Sequence, residues 1–212
     1  MTRPFFQLVS DLEEAIARPL PASTAHILMA PQPRREWPGG LNPARIRNAA
    51  ALLLVMPIAD RAHIVLTVRA DTLGRHSGQV SLPGGVVEAG ESFEHAALRE
   101  ANEEIAVAGE AVRVIGRLTP IEIPVSGFRL HPVVGVANAR LPLMPADGEV
   151  ARILEVPIDD LMQPACLVTI ERERDGRVVE APTFCVGGEQ IWGATAMVLA
   201  EFLTLLGWRT GT

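Results

Sequence analysis

The chain has 212 residues, 48% hydrophobic and 21% charged, which is enough for one domain with a sizeable core and far from the composition of a disordered chain. A net charge of -6 opposes broad attraction to nucleic acid or an anionic membrane, and with no Tyr and 4% aromatic residues there is no stacking platform for single strands. The longest apolar run, Ala49 to Ala59, contains Pro57 and falls short of the roughly 18 residues of a membrane span, while Asp11, Glu13 and Glu14 stand where a signal peptide would be apolar, so a cytoplasmic location is expected.

Residues 6–17 carry Leu8, Leu12 and Ile16 at helical spacing, with Pro19 as the stop. The proline-rich stretch from Pro19 to Pro43 reads as an extended, loosely wrapped segment in which Arg34 and Arg35 are expected as a solvated surface pair, with contact to a phosphate as the alternative. Asn42 and Pro43 predict the start of a short helix reaching about Ala50. Ala51 to Pro57 and Ala62 to Arg69 are strand candidates joined by the Asp60-Arg61 turn. The next stretch, ADTLGRHSGQV, brackets Arg75 and His76 with Gly74 and Gly78, a loop able to bring donors to an anion.

Gly84-Gly85 then leads through Gly90 and Glu91 into a helix expected from Ser92, its N-cap, to the region of Val107 to Gly109. At about 100° per residue, Glu100, Glu103 and Glu104 share one face, Leu98, Ala101 and Ile105 form an apolar stripe, and His95 points away to solvent. Strands are expected at Val112 to Leu118 and Leu130 to Ala137, with Thr119 to Phe128 as an intervening loop. Glu149 enters the apolar stretch beginning at Val150, and Pro157 opens a short helix through Met162. Cys166 to Glu171 and Arg177 to Ala181 form a hairpin turned at Asp175-Gly176, Thr183 to Val186 adds a short edge strand, and Trp192 to Leu206 closes the chain as an apolar helix. Cys166 and Cys185 are expected as buried free thiols.

Three carboxylates on one helical face repel one another unless they are solvated, paired or neutralised by a cation. Glu oxygens, joined by the Gly85 carbonyl and water, suit Mg²⁺ or Mn²⁺, ions that bridge diphosphate oxygens and lower the pKa of attacking water. The sequence contains neither GxGxxG nor a Walker pattern ending in Gly-Lys-Ser/Thr, so it has no motif for a Rossmann site or a P-loop.

Gly85, Glu91, Arg99-Glu100, Glu103-Glu104 and Val107 resemble the Nudix hydrolase signature, with Ala101 at its first bulky apolar position and Ala106 in place of its last glycine. Leu66-Thr67-Val68-Arg69-Ala70, Gly78 and Leu82-Pro83-Gly84-Gly85 are similar to the extended signature of coenzyme A pyrophosphatases in that superfamily. Val65, Gly74 and Leu82 replace its usual leucine, arginine and phenylalanine. Arg75 to Val80 and Ile191 to Ala196 also look like that group, so the resemblance runs from about Ala51 to Leu206.

The resemblance implies an α/β protein, a Nudix α/β/α sandwich with a mixed sheet, residues 51–212, carrying a packed N-terminal extension of residues 1–50. It implies a pyrophosphohydrolase using Mg²⁺ or Mn²⁺ that acts on a small nucleotide or coenzyme A, working as a homodimer without nucleic acid or membrane. Glu103, Glu104 and Glu100 would be metal ligands, with Gly85 contributing its carbonyl; Glu100 would alternatively orient water. Arg99 would pair with Glu91 to set the helix, and Glu149 would add a ligand or base. Arg69, Arg75, His76 and Gln79 would bind substrate. Coenzyme A would be cut to 3′-phosphoadenosine 5′-phosphate and 4′-phosphopantetheine. Two other readings stand beside this one. Gly74 favours ADP-ribose, another nucleoside diphosphate derivative or a dinucleotide as substrate, and Ala106 favours a noncatalytic nucleotide-binding protein.

Overall fold

The computed structural model describes residues 3–40, 42–70, 78–174 and 176–209. The chain begins with helix α1 (Phe5–Ile16) and the single turn α2 (Ser23–His26). Strands β1 (Arg47–Ile58), β2 (Arg61–Arg69), β3 (Val80–Ser81) and β4 (Gly84–Val86) lead into helix α3 (Phe93–Ile105). Strands β5 (Arg113–Arg117), β6 (Ile121–Ile123), β7 (Phe128–Val136) and β8 (Val150–Pro157) follow, then the turn α4 (Ile158–Leu161). A hairpin of β9 (Leu167–Arg174) and β10 (Arg177–Val186) precedes β11 (Glu189–Ile191) and helix α5 (Gly193–Leu205). No helix among the described residues is long and apolar enough to cross a membrane.

β1 is the axis of the fold. It runs parallel to β7 from Arg47↔Phe128 to Val55↔Val136, while its other edge pairs antiparallel with β4 at Ala49 to Ala51 and with β2 at Val55 to Ile58. β8 extends the sheet beyond β2, and β5 and β6 pair successive parts of β7. The sheet is therefore mixed, and β9, β10 and β11 form a second, antiparallel one. Period-two alternation sends Ala50, Leu52, Leu54 and Met56 to one face, against Ala97, Ala101 and Ile105 of α3. Ala51, Leu53 and Val55 go to the other, against Leu199, Phe202 and Leu203 of α5 and Leu8 and Leu12 of α1. A strand covered on both faces needs apolar residues at successive positions, which explains the run AALLLVM.

The expected helix from Pro43 to Ala50 is not formed. Pro43 to Arg45 make one 3-10 turn, and β1 already begins at Arg47. Ala49 and Ala50 favour a helix, but strand partners on both edges outweigh that local preference. The expected loop from Thr119 to Phe128 contains β6, three residues long and flanked by Pro120 and Pro124, residue types tolerated at a sheet edge. Thr183 to Val186 belong to β10, and the edge strand is β11. Cys166 is buried and Cys185 half-buried, both free.

The first fifty residues are fastened to the domain by Glu201 of α5, which is fully buried. Its carboxylate accepts from the Ala22 N–H (3.1 Å), the Thr119 N–H (3.1 Å) and the Thr119 hydroxyl (2.6 Å), and pairs with His26 Nε2 at 2.9 Å. Burial pushes this carboxyl up, but the bonds from His26 and Thr119 outweigh burial and hold it below its ordinary pKa. Further along, Gln32 and Glu180 of β10 exchange two backbone hydrogen bonds of 2.8 Å.

α3 starts at Ser92, whose hydroxyl accepts from the His95 N–H (3.2 Å), and ends at Ala106, left-handed at φ 57° and ψ 32°. That conformation is what the Nudix signature supplies with glycine, and alanine holds it at a cost. Ala106→Gly is expected to stabilise the protein by about 0.5–1 kcal/mol, since relief of the left-handed alanine exceeds the added freedom of the unfolded chain. Urea denaturation should show a higher midpoint at unchanged slope; an unchanged or lower midpoint would count against the account of this cap.

Candidate active site on the glycine turn and helix α3

The turn into β4 works because the first two residues of the strand lack side chains. A Cβ on Gly84 would lie 2.6 Å from the Ala51 Cα, and one on Gly85 would lie 2.5 Å from the Glu100 carboxylate. Gly84 thus lets the turn lie against β1, and Gly85 leaves the space that Glu100 occupies. After β4, Glu88 and Glu91 close a small turn, in which the Glu91 N–H donates to the Glu88 carbonyl and the Glu88 N–H to Glu91 Oε2, both at 3.1 Å.

Arg99 connects this turn to the helix. Its Nε and Nη2 donate to the two oxygens of Glu91 at 3.0 and 3.1 Å, Nη2 also donates to the Val86 carbonyl at 3.0 Å, and Nη1 reaches Glu100 at 2.9 Å. Both oxygens of Glu103 lie 3.4 Å from Nη1. The planar fork suits such multiple recognition. Hydrogen bonds from Arg99 hold the Glu91 carboxyl below the ordinary range, and those carboxylates keep the guanidinium protonated.

The three helix carboxylates share a face but not an environment. Glu103 is 58% exposed at its side chain and Glu100 17%. Glu104 is half-buried, and its Oε2 accepts from the Gly84 N–H at 3.3 Å. Burial, then the negative charge of Glu149, raises the Glu104 pKa to about 7; Glu100 adds to the rise, while the Gly84 bond and the positive charge of Arg69 oppose it. Glu149 and Arg69 therefore face the same region as the helix, although they come from distant parts of the chain. The backbone brings them there: the Ala70 N–H donates to the Glu149 carbonyl (2.9 Å), and the Ala146 N–H donates to the Glu104 carbonyl (2.8 Å).

Of the other expected substrate residues, Gln79 accepts from the Arg69 N–H through its carbonyl at 3.0 Å, beside the glycine turn. Arg75, His76 and Gly74 lie outside the described residues. His95 is exposed. The apolar side of α3 is centred on Ala96, Ala97, Ala101 and Ile105, and Leu98 is only partly buried. Sequence reasoning missed the Gly84 N–H and the Val86 carbonyl. Both are main-chain groups, which leave no mark in residue identity.

Among the described residues, no three acidic, imidazole or thiol groups already stand grouped to hold a metal ion. Arg99 engages Glu100 and Glu103, and Glu104 is set back against Gly84. The donor set nonetheless fits a hard divalent cation, because oxygen is its only ligand type and half-buried Glu104 stands beside like charges that nothing fully offsets.

Residues 47–177 match the model of the NUDIX domain family. A protein described as uncharacterised Nudix hydrolase NudL, from Cronobacter sakazakii, is 37% identical over 164 residues, covering 76% of this chain and 83% of its own. A protein of the same description from Salmonella paratyphi B is 35% identical over 162 residues, covering 76% and 84%. Among solved structures, a MutT/nudix family protein from Enterococcus faecalis has a TM-score of 0.52 at 20% identity, over 82% of this chain and 66% of its own, a likeness of fold. The three-layer arrangement around a mixed sheet, the glycine turn and the Arg99-centred helix thus accompany a match over more than half of the sequence, and the chain belongs to the Nudix family as a pyrophosphohydrolase.

Proposed function

We propose that the protein is a coenzyme A pyrophosphatase dependent on Mg²⁺ or Mn²⁺. The observation that carries the site assignment is that Glu100 fills the space beside Gly85 and Glu104 accepts from the Gly84 N–H, while the backbone ties Glu149 to Ala70 and Ala146 to Glu104. The choice of coenzyme A rests on the second motif, LTVRA to LPGG, which runs through β2 and returns at that turn.

Nudix hydrolases generally need a divalent metal ion. Here Glu103 and Glu104 would hold it, with Glu100, Glu149 or the Gly85 carbonyl completing the oxygen set, and it would supply charge neutralisation at the diphosphate and a more acidic bound water. Arg99, anchored to Glu91 and Val86, sets the height of α3 against β4 and keeps Glu100 beside Gly85. Glu100 or Glu149 would take the proton from water as its oxygen attacks one phosphorus and the bond to the bridging oxygen breaks. Arg69 would stabilise the extra negative charge on the diphosphate.

Purified protein supplied with coenzyme A and either ion should yield 3′-phosphoadenosine 5′-phosphate and 4′-phosphopantetheine by chromatography. Higher kcat/KM for ADP-ribose or a dinucleoside polyphosphate would instead assign the second substrate class, and binding without turnover of any of them would assign the noncatalytic one. Glu103→Gln removes an exposed charge with little change of volume. It is expected to weaken the ion and lower kcat/KM by about 10²-fold or more at limiting metal, with unchanged thermal unfolding of the metal-free protein. Full activity at limiting metal would reject Glu103 as a ligand.

Glu104 links the site to stability. A carboxyl with an ordinary pKa of 4.5 and a folded value of about 7 binds more protons when folded, so its contribution is present at low pH and is lost as pH rises through that window. In chelator the wild type should lose on the order of 2–3 kcal/mol relative to Glu104→Gln between pH 5 and 8. Equal pH dependence of the two proteins in denaturant titrations would show that Glu104 is not held in an unfavourable charged state.

A further inference from the structure

On the α5 side of the sheet lies a second feature that the hydrolytic site does not use. A cavity of about 540 Å³ opens between the N-terminal segment 30–36, strand β6 and the first turn of α5, with Pro33, Ile121, Ile123, Val179, Trp192 and Met197 among its walls. Its volume is that of a small-molecule site rather than a packing defect. The lining is mostly aliphatic, and the arginines and glutamate contributed by residues 34–36 are exposed.

Register joins this cavity to the catalytic turn. Ile121 pairs with Leu130, Leu130 with Ala49, and Ala49 with Val86, so these four side chains stand in one row across β6, β7, β1 and β4. Ile121 and Leu130 belong to the α5-side core, which fixes the face of the whole row. At its far end Val86 is 44% exposed, and its own carbonyl is the acceptor for Arg99. Three strand spacings make the row about 14 Å long. The α5 end is held in place by Thr195, whose hydroxyl donates to the Val80 carbonyl at 3.3 Å, four residues before Gly84.

We propose that this cavity seats the part of the substrate remote from the diphosphate, a neutral, extended, largely aliphatic chain such as the pantetheine arm of coenzyme A, and that segment 30–36 and Trp192 select it. The proposal rests on the coenzyme A reading for the identity of the chain. A ligand whose diphosphate lies at Val86 must span about 14 Å to reach the cavity, the length of an extended chain of about a dozen bonds. A purine suits the place less well: Trp192 is the one aromatic wall among mostly aliphatic ones, and the Arg172 guanidinium already lies over its ring, 4.4 Å from the centroid. The N-terminal extension thereby acquires a role in substrate choice. It is fixed for that role from both sides, by Glu201 at Ala22 and His26 and by Glu180 at Gln32.

Two substitutions fill the cavity from separate elements without touching a carboxylate of the site, Ala194→Phe on α5 and Val179→Phe on β10. Calorimetric titration with pantetheine, in chelator, reads the cavity without turnover, and coenzyme A hydrolysis reads the catalytic assignment separately. Both variants should bind pantetheine at least tenfold more weakly than wild type, raise KM for coenzyme A about tenfold and leave kcat and thermal unfolding nearly unchanged. Pantetheine binding without coenzyme A cleavage by the wild type would retain the cavity assignment and remove the coenzyme A reading. Cleavage of coenzyme A with no pantetheine binding, or with KM unmoved in a folded variant, would overturn the cavity assignment. So would loss of adenosine 3′,5′-bisphosphate binding in its place.

Discussion

The guanidinium of Arg99 is the constraint on which the site depends. One planar group satisfies a carboxylate in the preceding turn, a main-chain carbonyl at the end of β4 and a carboxylate on its own helix turn. A pair of charges this sheltered contributes little reliable stability, because desolvation offsets the attraction. Its effect is positional. Sliding α3 by one residue would break the Glu91 and Val86 bonds together, so the helix has one height relative to the glycine turn. Gly85 enforces the same register sterically, since its missing Cβ is the space of the Glu100 carboxylate.

With that geometry fixed, the carboxylates differ in exposure. Glu103 stays in solvent, within reach of the Arg99 guanidinium. Glu104 sits where burial and neighbouring charge resist ionisation, so a cation that neutralises it gains from relieving strain already present. Local stability is lower for it in the absence of the ion, a compromise common where function needs groups that folding alone would not choose.

The site was legible from sequence because most of it is local. Gly85, Glu91, Arg99, Glu100, Glu103 and Glu104 lie on one turn and one helix, and helical spacing brings the last four together. Spacing could not tell that Glu104 is half-buried, bonded to the Gly84 N–H and beside the charge of Glu149, while Glu103 is exposed. The strand pattern was equally readable wherever apolar runs end at turns. It failed at residues 43–50, where an alanine-containing stretch with helical tendency is claimed by β4 and β7 on its two edges. Nothing in Pro31 to Glu36 signals a cavity wall either, because the other walls are contributed from residues some ninety to one hundred and sixty positions away.

The central strand explains how one sheet can hold both functions apart. Successive residues of β1 alternate between α3 and α5, so Ala50 pairs with Gly85 beneath the carboxylate helix while its neighbour Ala49 pairs with Val86 on the opposite face. The Glu100 side of the β4 strand and the row that leads to the cavity are therefore one residue apart along β1. A change in residues 30–36 or at the start of α5 can reshape the distal cavity without moving Arg99 or the glutamates, because among the described residues no side chain belongs to both sets. On the proposed reading, such a separation would let the catalytic helix stay fixed while the far face is fitted to the group attached to the diphosphate.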